Sequence, residues 1–431
     1  MSADVRALLR SCCVHAASGS GRCACASPGE PPAEWVETAG PGPGAAMGAG
    51  LQLQAGRAAT RENRVRLLLD GSESYGAMLD LVEEAREEVL FENFIFRGDA
   101  VGLAFAVALR RRAEEGVRVR VLHDPFGALM SRRAPIGFHF HGSPAWVRVY
   151  NPPRPTPAFF RDGRDHRKLV VQDRRRAVVG GLCLADAWMG NCVERCTWRD
   201  SAILVEGAAA EEVAAEFDRM WGRGRSFTPR IAQEGGAAAP VAIPHTDAAP
   251  GDVPVRVLSD EPGARRTERV LVHALDTARS EALLTTPYLL PTPRLAEAMC
   301  AAARRGVDVE VLVPLHGNHR VVALSAEHAA GELLRAGVTV WQWTGPLVHA
   351  KTAVVDACWS LVGSSNLDPL SLIRNAELNL EVHGAAFAGQ LRASFIRDRA
   401  LSSLLSEETW RGRPPLRRLL TRTAALGRGW Q

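Results

Sequence analysis

The chain is written twice, and that duplication limits its possible folds more than any other property. Residues 64–71 (VRLLLDGS) and 255–262 (VRVLSDEP) each read as a strand entering a turn, with a helical stretch after it. Residues 110–127 (RRRAEEGVRVRVLHDPFG) match 301–317 (AAARRGVDVEVLVPLHG). In both, a helix closes on glycine, which tolerates the left-handed conformation, and an apolar strand follows. The steps Val-Val-Gln-Asp173 and Ala-Val-Val-Asp356 each lead to a second short strand and a glycine-rich turn, Ala177 to Cys183 and Ser360 to Asn366, as in a hairpin. Each copy then closes on a strand, residues 200–206 and 377–382. Strands alternating with helices in two copies predict two tandem α/β domains, each a mixed β-sheet flanked by helices. Two copies of one fold pack about a pseudo-twofold axis, which places the site at their interface with equivalent residues face to face.

The repeat divides the 431 residues into a Gly/Ala/Ser/Pro-rich leader (1–60), a first domain (61–228), an Ala/Pro/Gly-rich linker (229–253), a second domain (254–400) and a basic amphipathic tail (401–431). The leader lacks the continuous apolar core of a secretory signal and reads as disordered, with Met47 as an alternative start. No run of 18 apolar residues is present, so membrane contact is expected to be peripheral. Nine scattered cysteines without paired CxxC spacing read as free thiols of a reducing cytoplasm, and neither a metal nor a cofactor is expected. A net charge of +4 is too small to advertise wholesale nucleic-acid binding.

The 52 basic residues are lopsided: fifty are arginine, and the two lysines are Lys168 and Lys351. Each follows a histidine by two residues and precedes an aspartate by five, giving His166-x-Lys168-x4-Asp173 and His349-x-Lys351-x4-Asp356. With only 12 histidines in the chain, that double coincidence is remote by chance. On extended backbone, residues i and i+2 share a side, so each His and Lys project together. Across a twofold interface they form two imidazoles and two ammonium groups, an anion site suited to a phosphodiester. Two imidazoles also serve two-step phosphoryl transfer, one attacking phosphorus and the other moving the proton.

These motifs, with residues 179–182 (VGGL), Trp198-Arg199-Asp200 and residues 363–379 (GSSNLDPLSLIRNAELN), resemble the phospholipase D superfamily, and within it the bacterial cardiolipin synthases, over residues 62–400. The resemblance implies His166 and His349 as the nucleophile and acid/base pair and Lys168 and Lys351 as the phosphate clamp. It implies Ser364 and Asn366 as further phosphate donors. Asp173 and Asp356 complete the two catalytic motifs and are expected to support their fold. Glu377 is expected to orient His349, and Asp200 to orient His166, with Glu194 as the competing candidate for the latter. The pattern is departed from at Cys183, where Asn is usual and which corresponds to Asn366, and at Gly181, which corresponds to Ser364.

The implied activity is transfer of a phosphatidyl group from phosphatidylglycerol through a phosphohistidine, with release of glycerol. The alternatives are hydrolysis in the manner of a phospholipase D and, in a different class, a nuclease. Residues 137–160 interleave aromatic side chains with Arg148 and Arg154, which suits a lipid headgroup, single-stranded nucleic acid or an ordinary covering loop. The arginine- and leucine-bearing tail suits a peripheral contact with an anionic membrane. The expected setting is the inner face of the cell membrane, with no nucleic-acid partner and no required oligomer.

Overall fold

A computed structural model describes residues 33–129, 136–152, 163–190, 197–226 and 251–426. The first half contributes β1 (Asn63–Leu69), β2 (Glu88–Asn93), β3 (Arg118–His123), β4 (Trp146–Val149), β5 (Leu169–Gln172), β6 (Arg176–Gly180), β7 (Ser201–Gly207) and β8 (Arg225–Ser226). The second contributes β9 (Val255–Asp260), β10 (Glu281–Thr285), β11 (Asp308–Pro314), β12 (Thr339–Trp343), β13 (Thr352–Val355), β14 (Trp359–Gly363), β15 (Glu377–His383) and β16 (Ser402–Leu404). The sheets run β1-β7-β6-β5-β2-β3-β4-β8 and β9-β15-β14-β13-β10-β11-β12-β16, so every strand has its counterpart at the same place. In each, the second to fourth strands of the half are parallel and the others antiparallel, the mixed sheet that the repeat predicts.

The central parallel strands β2, β3 and β11 are buried along nearly all of their length, with apolar side chains on both faces. The outer faces carry α2 (Asp70–Glu84) and α3 (Ala100–Glu114) in the first half, and α5 (Arg266–Thr277), α6 (Pro293–Arg304) and α7 (Arg320–Arg335) in the second. Thr292 caps α6 through the Leu295 N–H, with Pro293 at the first helical position. The inner faces meet. One continuous apolar core joins Val171, Val179 and Ile203 of the first sheet to Val362, Leu380 and Val382 of the second. Between them α4 (Ala208–Trp221) leans on β9 and α8 (Ala385–Ala400) on β1, each helix packing across onto the other half.

Two boundaries differ from expectation. Residues 33–60, assigned to the leader, carry the helix α1 (Ala45–Ala55), whose Met47, Leu51 and Ala55 are buried against α5. Val36 pairs with Val65, and Thr60 with Val255. Gly/Ala-rich composition hid a stripe of apolar residues four apart. Past residue 400, β16 completes the second sheet, and α9 (Pro415–Leu426) packs on α7. Of the stretch 137–160, for which a lipid headgroup, a single-stranded nucleic acid and an ordinary covering role are open in the sequence, the described part supplies core: Phe140 is buried, Trp146 and Tyr150 pack on the shared core, and Arg148 stacks on Trp221. Phe159 and Phe160 lie outside the described residues, as do residues 1–32 and most of the linker.

Candidate functional site

The two motifs enter the interface by crossing. Ala376 N–H donates to the Arg164 carbonyl (2.8 Å), and His166 N–H to the Ala376 carbonyl (3.0 Å). In the mirror arrangement Arg199 N–H donates to the Leu347 carbonyl (2.8 Å), and His349 N–H to the Arg199 carbonyl (2.6 Å). Each histidine therefore runs beside the residue that precedes the other half's carboxylate. His166 Nδ1 lies 2.9 and 3.1 Å from the two Glu377 carboxylate oxygens, and His349 Nδ1 lies 2.7 Å from Asp200 Oδ2.

This corrects the expected pairing of Glu377 with His349 and of Asp200 with His166. Within one half the carboxylate heads β7 or β15, and the histidine leads into β5 or β13. A whole strand, β6 or β14, separates them. Two strand spacings are roughly 10 Å, beyond hydrogen-bond reach, whereas the bridge to the other half brings each pair into contact. Glu194 lies outside the described residues. Asp200 is the positional equivalent of Glu377, because Gly180 faces Ala202 and Gly363 faces Asn379 in the same register.

Lys168 and Lys351 are both buried, and each turns its ammonium back to the carbonyl of its own histidine. Lys351 Nζ also lies 2.8 Å from His349 Nδ1 and 3.2 Å from Nε2. Arg167, between His166 and Lys168, points the other way into a buried fork on Glu92 at 2.6 and 2.7 Å, the alternation that extended backbone imposes. Aromatic rings wall the histidines. Phe94, at the end of β2, is edge-on to His166 at 5.0 Å and lies under Lys168, while Trp188 and Trp198 flank His349 at 5.2 and 5.7 Å. Trp188 also donates its indole N–H to Asp200 Oδ2 at 2.9 Å. Phe94 and Trp188 went unnoticed in the sequence. The position of Phe94 after a parallel strand is the one signal available, since such strand ends favour sites; Trp188 carries none.

The motif aspartates sit away from the histidines. Asp173 accepts from the N–H groups of Arg86, Glu87 and Glu88, and Asp356 from those of Arg279, Ser280 and Glu281. Both occupy hairpin turns at positive φ (47° and 51°), a conformation aspartate adopts more readily than most residues. They join the hairpin to the start of β2 or β10, the supporting part expected of them.

Ser364 differs from expectation: its hydroxyl donates to Glu377 and accepts from Leu378 N–H at 2.9 Å, so it holds a carboxylate. Asn366 is buried two residues further along the same turn. At Gly181, the counterpart of Ser364, a Cβ would fall 2.3 Å from Asp200 Oδ1. The shorter Asp200 needs that space, which explains the glycine. Cys183 is buried and its thiol is raised by that burial, as in an inert packing residue. Arg199 ties the crossing together, bonding Asp398 (3.1 Å) and Ser394 (2.6 Å) of the second half and Ser201 (3.0 Å) of the first.

Electrostatics separate the two pairs. Burial raises Glu377 to about 7 against the opposing pull of Lys168 and Ser364. The same burial acts on Asp200, but Lys351 and His349 outweigh it and hold the carboxyl below its ordinary range. Burial and then Lys351 lower His349 to about 3, while burial, Lys168 and Lys351 lower His166 well below its usual value. Lys351 is itself lowered to about 8 by burial, with Asp200 opposing. Such a concentration of donors and positive charge around neutral imidazoles favours an anion. Among the described residues no group of three His, Cys, Asp or Glu side chains is arranged to hold a metal, and no helix is long and apolar enough to cross a membrane.

A family model described as "Cardiolipin synthase, PLD-like domain" matches residues 271–399. The chain is similar to the "Major cardiolipin synthase ClsA" of Bacillus subtilis (strain 168), at 28% identity over 82% of this chain and 73% of that one. It is 30% identical to "Cardiolipin synthase A" of Pseudomonas fluorescens (strain SBW25), over 84% of this chain and 74% of that one. In fold it is similar to the crystal structure of phosphatidylserine synthase from Haemophilus influenzae Rd KW20, with a TM-score of 0.66 at 15% identity, covering 84% and 93% of the two chains.

Proposed function

The chain belongs to the phospholipase D-like family that includes the bacterial cardiolipin synthases, and from that membership we propose that it is a phosphatidyl transferase acting on phosphatidylglycerol. The observation that carries the chemistry is the crossed pair of buried His–carboxylate contacts, His166–Glu377 and His349–Asp200, with one lysine beside each. In both pairs Nδ1–H is committed to a carboxylate, which leaves Nε2 for chemistry. Glu377, raised to about 7, gives its imidazole weak electrostatic support, whereas Asp200 is held ionised. We assign the proton transfers to His349, whose Nδ1 faces the ionised Asp200, and the attack to His166.

Binding of the anionic phosphodiester between Lys168 and Lys351 offsets the repulsion that keeps His349 neutral, and His349 takes up a proton from water at Nε2. His166 Nε2 attacks phosphorus, the phosphorus–oxygen bond to glycerol breaks, and His349 protonates the departing oxygen. The acceptor hydroxyl then loses its proton to His349 as its oxygen displaces His166 from phosphorus. With a second phosphatidylglycerol as acceptor the products are cardiolipin and glycerol. Asp173 and Asp356 hold the hairpins, Ser364 holds Glu377, and Asn366 remains the phosphate donor of the second half. The protein acts peripherally, on an anionic membrane at its inner face.

Incubation of the purified protein with phosphatidylglycerol vesicles tests the reading, with His166→Asn and His349→Asn as controls. Cardiolipin and glycerol from the wild type alone are expected. Phosphatidic acid in place of cardiolipin assigns a hydrolase, and neither product from folded protein overturns both.

A further inference from the structure

The site lies at one end of the second sheet. Thr352 of β13 lies opposite Thr285, the last residue of β10, so His349 and Lys351 stand where β10 ends. β11 runs parallel to β10, with Leu312 beside Thr285, and β14 places Val362 opposite Thr352. The segments that follow β11 and β14 therefore emerge at this same end. They carry three exposed hydrophobic side chains: Leu315 after β11, Val321 in the first turn of α7, and Leu370 in the helical turn Leu370–Arg374.

α9 adds to that end. Trp410, ahead of it, bonds the Glu327 carbonyl (2.8 Å) and stacks near Arg335, while Arg413 and Arg417 reach the Glu327 carboxylate. Trp410 lies against Arg335 and Arg417 against Glu327, so the chain entering α9 passes along α7 from its C-terminal turn toward the half that bears Val321. In α9, Leu416, Leu419 and Leu420 recur at i, i+3 and i+4 and are 68%, 58% and 47% exposed, while Thr421 on the opposite side is buried. Of the nine large hydrophobics exposed among the described residues, these six lie on α9 or at the site end. Between Trp410 and Gln431 the chain has six arginines and no acidic residue, and Arg411 and Arg417 are more than half exposed.

We propose that this face of α9 and the adjoining rim seat the protein on a bilayer containing anionic phospholipid, with the mouth of the site against the headgroups. Apolar side chains flanked by arginines fit the boundary between acyl chains and an anionic surface, and charge complementarity selects that occupant. The inference rests on the reading that the substrate is a membrane phospholipid. Docking at this end lets such a substrate reach Lys168 and Lys351 without its acyl chains leaving the membrane.

The test is co-sedimentation of the full chain with phosphatidylcholine vesicles, with and without phosphatidylglycerol. The wild type is expected to bind the anionic vesicles preferentially. Combined Leu416→Ser, Leu419→Ser and Leu420→Ser should weaken that binding by about tenfold or more, with turnover in detergent-mixed micelles unchanged. Val321→Ser, at an exposed helix start, should weaken it to a smaller degree and guards against misfolding of the triple variant. Absence of wild-type binding, or equal binding by both variants, overturns the proposal. Intact binding without turnover instead sinks the catalytic reading and leaves the docking face standing.

Discussion

His166 and Glu377 are 211 residues apart in sequence and in hydrogen-bond contact, at 2.9 Å between Nδ1 and Oε1. With the mirror contact of His349 and Asp200, this makes each half of the chain supply the carboxylate for the other half's histidine. Neither half holds a complete pair by itself.

Crossed pairing makes a specific claim for Glu377→Gln. With Nδ1 no longer held by a carboxylate, kcat is expected to fall by about 10²-fold or more, with KM for phosphatidylglycerol little changed. In proton NMR of histidine-labelled protein, the same substitution should move the Nδ1–H resonance of His166 and leave that of His349, while Asp200→Asn does the reverse. A response of His349 to Glu377→Gln contradicts the crossing.

Trp188 acts through Asp200, to which its indole N–H donates. Trp188→Phe keeps the ring against His349 and removes that donor, so kcat should fall by about tenfold and stability by about 1–2 kcal/mol. Unchanged kcat with the same loss of stability would make Trp188 a packing residue only.

The buried histidines tie stability to pH. His349 titrates near 3 in the folded protein and has an ordinary value of 6.5, and His166 is shifted the same way. Between these values the unfolded chain binds the extra proton, so stability is lost as pH falls from about 6.5 toward 3. Glu377 works in the opposite sense: raised from 4.5 to about 7, it contributes stability at low pH that is lost as pH rises through 7. Thermal melting between about pH 6.5 and 4 should show a shallower fall in Tm for His349→Gln than for the wild type. Parallel slopes contradict a neutral buried His349.

Arg199 holds Asp398 of the second half while its backbone pairs with Leu347 and His349. Arg199→Met leaves a buried carboxylate without its partner, and urea denaturation should show a loss of about 3–5 kcal/mol. Arg199→Lys keeps the charge without the fork and should recover only part of it. A loss below about 1 kcal/mol for the methionine variant contradicts the clamp.

What the sequence made legible was local or repeated. The hairpins around Asp173 and Asp356, the strands ending the two copies and the His-x-Lys steps are each set within a few residues, and a second copy confirms each. The crossing was not legible, because two near-identical motifs do not reveal whether a carboxylate serves its own half or the other. Ser364 read as a phosphate donor for the same reason: its bond to Glu377 depends on where that carboxylate turns. The helix α1 was hidden by its glycines and alanines, although Met47, Leu51 and Ala55 mark a stripe.

The most direct measurement uses a phosphatidyl ester of p-nitrophenol, whose leaving group departs without a proton. His349→Asn should then complete the first displacement but not the second, and accumulate a phosphatidyl adduct that mass spectrometry places on His166. An adduct on any other residue, or wild-type turnover of this substrate with no adduct trapped in His349→Asn, contradicts the account.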